Sequence, residues 1–317
     1  MPYAGDVVLP RPRHLAEVVS AQQVRVEVTR TDHTAPIREK IDEKILRERS
    51  YLALRTEPKM ALTVSMPLLI LFILEVLLMI AIPIVAVLWL GKRWSLPLRL
   101  ALIGAATFVG SQVLHLPANS FLASALQLEA QPLVIQAIVL GLSAGIFEEV
   151  ARYLVYRFWL TEARTWREGV VFGLGHGGIE AILTGALVVV TLISVLVITG
   201  AEDPAALGLP EGALPQVEEF WATPWYLPLL AVMERVMALV LHVSMATLVL
   251  LCFHKRHIWP LLAAIVWHAI MDFAAVYAGQ RWGIAAAEGF VAVITVGSAA
   301  VLWWTRRTLA GESASAE

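Results

Sequence analysis

Glu148, Glu149 and Arg152 stand in GLSAGIFEEVARYLVYRF, and His176 and Glu180 stand in VFGLGHGGIEAIL. His242 lies in LVLHVSMA, and His268 and Asp272 lie in IVWHAIMDF. Each string is otherwise apolar. Carboxylates can take a proton from water, and imidazoles can relay protons, stabilise an oxyanion or ligate a metal. Hydrolysis of a peptide bond needs these functions together. Ionisable groups inside apolar helices are costly, face a bundle interior and mark functional sites.

Spacing makes the set coherent. Glu148 and Arg152 are four residues apart, as are His176 and Glu180, and His268 and Asp272, so each pair shares a helix face. Glu148 and Glu149 point about 100° apart around a helix. One is expected to be catalytic or ligating and the other to orient a neighbour. A rise of about 1.5 Å per residue places Glu148, His176, His242 and His268 at roughly 13–16 Å from one side of the bundle. Antiparallel packing would then put one carboxylate and three imidazoles in one layer. Arg152 is expected to be a structural partner of a carboxylate. Glu180 is expected to fix His176 or close a network. Glu75 and His115 are read as packing or interface residues outside the cluster. Gly173, Gly175, Gly177 and Gly178 surround His176, either to let helices approach or to loosen the helix and expose its backbone to a substrate.

The elements that must position these residues are membrane helices. Of 317 residues, 58% are hydrophobic and only 16% charged, too apolar for an ordinary soluble domain. Seven apolar stretches, at about 60–90, 98–117, 133–159, 168–199, 226–252, 258–279 and 285–305, each reach the roughly 20 residues a span needs. The fold class predicted is therefore all-α, a polytopic transmembrane bundle. It occupies residues 60–305, between a polar N-terminal extension, 1–59, and a short tail, 306–317. The first stretch is long and holds Pro67, Pro83 and Glu75. The fourth is also long, and its polar beginning suggests a partly irregular helix. In the extension, alternating Val24, Val26 and Val28 suggest a short strand, and Pro36 opens a helix with Ile37, Ile41 and Ile45 on one side. The opening residues lack the apolar core of a signal peptide.

Basic residues follow the first, third, fifth and seventh stretches: Lys92, Arg93 and Arg99; Arg157, Arg164 and Arg167; Lys255 and Arg256; Arg306 and Arg307. The 200–225 loop instead carries Glu202, Asp203, Glu211, Glu218 and Glu219. The positive-inside rule puts the four basic sites in the cytoplasm. Seven spans then place the C-terminus in the cytoplasm and the N-terminus outside, although the basic N-terminal extension must cross. Net charge is −2, so composition suggests no nucleic-acid partner. Membrane lipids and a membrane-embedded or membrane-associated peptide substrate are the partners expected. A single cysteine, Cys252, leaves the redox compartment open.

GLSAG at 141–145 satisfies a serine-nucleophile pattern, but that elbow needs a strand, a turn and a helix in a soluble sheet. Here it begins a membrane helix, so Ser143 carries little weight. GLGHGG lacks the strand-helix unit of a dinucleotide fingerprint. No H-E-x-x-H string is present. No cofactor is expected by default, yet His176, His242 and His268 could hold zinc together with a carboxylate.

The strings AGIFEEVARY, FGLGHGGIEAIL and WHAIMD resemble those of the YhfC family of bacterial membrane peptidases. That family is similar to the glutamic-type intramembrane proteases, which include CAAX prenyl endopeptidases and abortive-infection proteins. The resemblance covers roughly residues 70–305. It implies that Glu148, first of the paired glutamates, activates water, and that His176, four residues after Phe172, joins that step. It also implies that His268, paired with Asp272, stabilises the oxyanion, and that His242 matches a further histidine of the narrower family. Two departures point away from a CAAX substrate. Arg152 follows the glutamates after two intervening residues rather than three, and Asp272 stands where those enzymes have Asn. An ionised Asp cannot donate to an oxyanion, so Asp272 would be protonated or would orient His268.

The reaction expected is intramembrane endopeptidase cleavage. Glu148 would be the base, His176 would help hold water, and His268, with His242, would sit opposite. The roles of His176 and His268 can exchange. A cavity open to the cytoplasm is predicted, because water must reach the layer. A zinc-dependent protease using the same pocket, a transporter or channel with a proton relay, and a catalytically silent scaffold are the competing readings.

Overall fold

The computed structural model describes residues 62–314. The strand near Val24–Val28 and the helix after Pro36 fall outside the described residues, as does the whole extension 1–59. The helices are α1 (Met66–Trp94), α2 (Arg99–Ala125), α3 (Leu133–Phe158), α4 (Trp166–Thr199), α5 (Ala213–Trp221), α6 (Leu227–Lys255), α7 (Trp259–Trp282) and α8 (Ile284–Ala314). All but the short α5 are long and apolar enough to cross a membrane. No strand occurs among the described residues. The described residues form an all-α, multi-pass membrane bundle of seven spans.

Two boundaries depart from the sequence reading. The second span continues through Pro117 to Ala125. Proline is tolerated inside membrane helices because neighbouring groups compensate for the lost hydrogen bond. The fourth is not irregular at its start: α4 is helical from Trp166. Thr165 and Glu168 form a capping box, with Glu168 N donating to Thr165 Oγ1 at 3.3 Å and Thr165 N to Glu168 Oε2 at 2.8 Å. That reciprocal pair satisfies the first free amides of the helix.

Helix α6 is the axis of the bundle. In its most apolar window 72% of residues are buried, against 22–39% in the other spans. It packs on α1, α3, α4, α7 and α8, while α2 wedges between α3 and α4. Glycine permits the closest crossings. A Cβ on Gly175 would collide with the Ala101 carbonyl, and one on Gly104 with the Phe172 carbonyl, so α2 and α4 touch backbone to backbone. Gly145 meets α7 in the same way, its added Cβ falling 2.6 Å from the Ile265 carbonyl. Hydroxyls and an indole tie the apolar faces together. Thr247 and Thr305 pair at 2.9 Å, and Trp267 Nε1 donates to Ser298 at 2.9 Å.

The far end of α4 is long because it has a partner. Helix α5 folds back so that Phe220 stacks on Phe72 at 4.5 Å, and Trp221 Nε1 donates to Thr199 Oγ1 at 2.9 Å. At the opposite end the basic residues gather. Arg167 lies over Trp94 at 5.8 Å and Arg306 over Trp166 at 5.6 Å, drawing the ends of α1, α4 and α8 together. This is called the basic end below.

Candidate active site

Four helices deliver the polar layer to one point, the Oε2 atom of Glu148. His176 Nε2 from α4 lies 3.1 Å away, His242 Nδ1 from α6 3.8 Å, and His268 Nε2 from α7 4.0 Å. The three imidazoles form a row, with ring centroids 5.3 and 5.4 Å apart. Gly177 makes room for one of them: a Cβ there would stand 2.9 Å from the His242 ring. The glycines around His176 thus serve close approach within an intact helix.

The paired glutamates face different partners. Glu149 is fully buried. Its Oε1 accepts from His268 Nδ1 at 2.7 Å and pairs with Arg152 Nη1. Arg152, also fully buried, reaches His242 Nδ1 with Nη2 at 2.6 Å and Glu148 Oε2 at 3.5 Å. A guanidinium can only donate, so His242 Nδ1 is an acceptor and its hydrogen resides on Nε2. That Nε2 meets the Glu180 carboxylate. His268 has the complementary arrangement, with Nδ1 held by Glu149 and Nε2 turned to Glu148 and, at 3.6 Å, to Asp272.

One sequence expectation is narrowed here and one is corrected. Of the two roles expected of Glu180, fixing His176 or closing a network, the geometry matches the second. Glu180 backs His242 and takes Arg235 Nη1 at 2.8 Å, because α6 rather than its own helix faces it. His176 Nδ1 has no protein partner, and its ring packs edge-on to Phe108 at 5.2 Å. Nor is His115 a bystander. Its Nδ1 bonds Gln112 Oε1 at 3.1 Å, and Gln112 Nε2 donates to Glu148 Oε1 at 3.1 Å. Asn119 and Ser143 complete that chain, at 2.9 and 3.0 Å from His115 Nε2. Ser143 is part of this relay, and its hydroxyl donates to Asn119 Oδ1 at 2.5 Å. Glu75 stays outside the cluster, buried in α1.

Sequence reading missed Gln112, Asn119, Glu234 and Arg235. A signal existed for each pair. Gln112, His115 and Asn119 recur at helical spacing in an apolar span, and Glu234 and Arg235 are charges inside another.

A cavity of about 100 Å³ borders the layer, with room for water. Its walls include Glu148, His242, His268, Asp272, Glu234 and Arg235. Glu234 sits about 12 Å farther from the basic end than His242, and Asp272 about 6 Å farther than His268. The cavity therefore extends away from the basic end, not toward it as predicted. On the basic side Tyr156, Phe172, Met245, Val249 and Ala264 are completely buried and seal the layer. Tyr156 and Phe172 pack at 4.8 Å between ring centroids.

The donors of Glu148, His176 and His242 all lie within 4.8 Å of one another, so this buried trio is able to hold a metal ion. Tetrahedral zinc with bonds of about 2.0–2.1 Å spaces its ligand atoms roughly 3.3 Å apart. The 3.1 and 3.8 Å separations from Glu148 Oε2 bracket that value. The tautomer of His242 also suits, since Nδ1 carries the lone pair and Glu180 holds the other nitrogen, but Arg152 Nη2 occupies that lone pair at 2.6 Å and an ion would have to displace it. The residues fit the ion.

Seven spans around a buried carboxylate–imidazole centre define a polytopic membrane protein of the intramembrane-protease type. The family model described as YhfC intramembrane metalloprotease matches residues 78–295, which include every residue of the layer. The chain belongs to the YhfC family. It is 32% identical over 235 residues to the uncharacterized membrane protein YhfC of Bacillus subtilis (strain 168), covering 70% of this chain and 89% of that protein. No solved structure matches the chain.

Proposed function

We propose that this protein is an intramembrane endopeptidase whose water is activated at a divalent metal held by Glu148, His176 and His242. The observation that carries the reading is the convergence of these three donors, with Glu180 backing His242. When bound, zinc would supply an acidified water and a Lewis acid for the scissile carbonyl. The chain's own groups do the rest. Gln112 holds Glu148 Oε1, which leaves Oε2 aimed at the imidazoles. Glu149 pins His268 by Nδ1, so that Nε2 is free to hold or hand over a proton on the cavity side. Asp272, beside that nitrogen, orients it or takes part in the transfer. The apolar seal below keeps bulk water from the basic side. A membrane-embedded peptide would enter from the cavity end. If the basic end is cytoplasmic, that entrance lies on the outer side.

A second reading has its own observation. Arg152 Nη2 already stands 2.6 Å from His242 Nδ1 and 3.5 Å from Glu148 Oε2. An internal cation at those atoms favours metal-free catalysis, with Glu148 as general base, His176 sharing the water and His268 donating to the oxyanion.

Purified protein incubated with membrane-peptide libraries, with and without chelator, separates the two. One metal per chain, with cleavage lost on chelation and restored by zinc, supports the first. Cleavage that survives chelation in metal-free protein but vanishes in Glu148→Gln supports the second. Ion flux without cleavage, or neither activity, would sink both and leave a transporter or a scaffold.

A further inference from the structure

At the basic end a separate cavity of about 630 Å³ lies between the C-terminal ends of α3 and α6 and the start of α7. Arg157, Arg164, Arg256 and His257 line it, and among the described residues no carboxylate does. Positive residues often neutralise the carbonyls that end a helix, and Arg164 does so. Its Nη1 donates to Leu160 O at 2.8 Å and Ala163 O at 2.7 Å, its Nη2 reaches Tyr156 O at 3.3 Å, and it lies over Phe253 at 4.7 Å. Arg157 and Arg256 have no such use. Both are exposed, and among the described residues neither pairs with a carboxylate. Burial lowers the Arg164 pKa, Tyr156 and Glu168 oppose that and Arg157 adds to it, so Arg164 has Glu168 as a counter-charge and the unbalanced charge is that of Arg157 and Arg256. Ile258 borders the same cavity, but the first turn of α7 offers it little: Pro260 has no N–H, and Leu261 N and Leu262 N already donate to Ile258 O at 3.0 and 3.3 Å.

We propose that this cavity binds the phosphate of an anionic glycerophospholipid. Phosphate is the anion that the exposed guanidiniums of Arg157, which lies over Phe158 at 5.9 Å, and Arg256 suit. Exposed aromatic residues next along the chain from Arg157 and Ile258, which line the cavity, favour the lipid over free phosphate. Phe158, Trp159 and Trp259 are 74%, 61% and 72% exposed, at the depth where aromatic rings anchor to the membrane interface and beside which acyl chains would run. Basic pockets between helix ends are recurrent sites for lipid headgroups. The site is independent of the polar layer and of its chemistry.

Native mass spectrometry of the detergent-solubilised full chain tests it, with phosphatidylglycerol and phosphatidylcholine of identical acyl chains. Wild type is expected to retain phosphatidylglycerol preferentially. Each of Arg157→Gln and Arg256→Gln should weaken that retention about fivefold, and the double variant about 25-fold. Arg306→Gln with Arg307→Gln removes equal charge from the same end outside the cavity and should leave retention unchanged. Equal loss in that control would mean diffuse attraction and overturn the site. Undiminished retention in the cavity variants would also overturn it. Displacement of the lipid by millimolar inorganic phosphate, with no dependence on acyl chains, would assign the cavity to free phosphate instead. Should the double variant fail to fold, the two exposed single variants carry the test.

Discussion

The histidine layer has a dry side and a wet side, and identical residue types behave differently on each. On the dry side Glu149 is enclosed by Arg152 and His268, with Phe172 about one turn below His176 and Tyr156 about two turns below Glu149 closing the space. On the wet side Glu180, Glu234 and Asp272 line the cavity, with Glu234 and Asp272 side chains 34% exposed. Glu148 lies between them, with one oxygen held by Gln112 and the other open to three imidazoles. A buried carboxylate with two charged partners is architecture. One that lines a cavity and whose second oxygen meets convergent nitrogens is available for chemistry. Neighbouring charge and water access, rather than the residue itself, make that distinction.

The sharpest way to break the comparison is at its centre. Glu148→Gln is expected to lower peptide cleavage by about 10³-fold or more while leaving the unfolding midpoint nearly unchanged. Retained activity would remove Glu148 from the chemistry. On the dry side Glu149→Ala removes the closer of the two carboxylates that pair with the buried Arg152 cation, which costs about 3–5 kcal/mol. Thermal unfolding in detergent should show that loss. A stable Glu149→Ala protein that is merely inactive would reverse the roles assigned to the two glutamates.

Smaller effects separate the supports. Glu180→Gln should reduce metal affinity by about 10–100-fold, read by competition with a metal indicator, because His242 loses the group that orders its ring. Gln112→Ala frees one oxygen of Glu148 and is expected to lower kcat about 10-fold with little change in KM. A matching loss in His115→Ala would place the two in one relay. Ser143→Ala should have the smallest effect, about threefold or less, as a hydroxyl that only braces Asn119 and His115. A complete loss there would revive a serine nucleophile and undo the division described above.

Particular residues show what was legible before any coordinates. The seven spans follow from stretches of about 20 apolar residues, and the helix-face pairs from spacing by four. These are local properties, and α3, α6 and α7 lie close to their expected limits. The regular start of α4 was also written locally, in Thr165 and Glu168, but the polar composition around them masked it. The partner of Glu180 was not legible, because spacing by four favours His176 while the facing helix supplies His242. His115 was misjudged for a related reason: its route to Glu148 passes through the Gln112 amide, which joins two helices and carries no charge to draw notice.

By itself the sequence determined that the chain is a helical membrane bundle with acids and imidazoles at one depth, because hydrophobic length and helical rise act along a single chain. Only tertiary structure decided which oxygen of Glu148 faces the histidines, which nitrogen of His242 keeps its hydrogen, and toward which end the cavity opens. Those features depend on distances between helices, and such distances are set by where α6 lets five neighbours close around it.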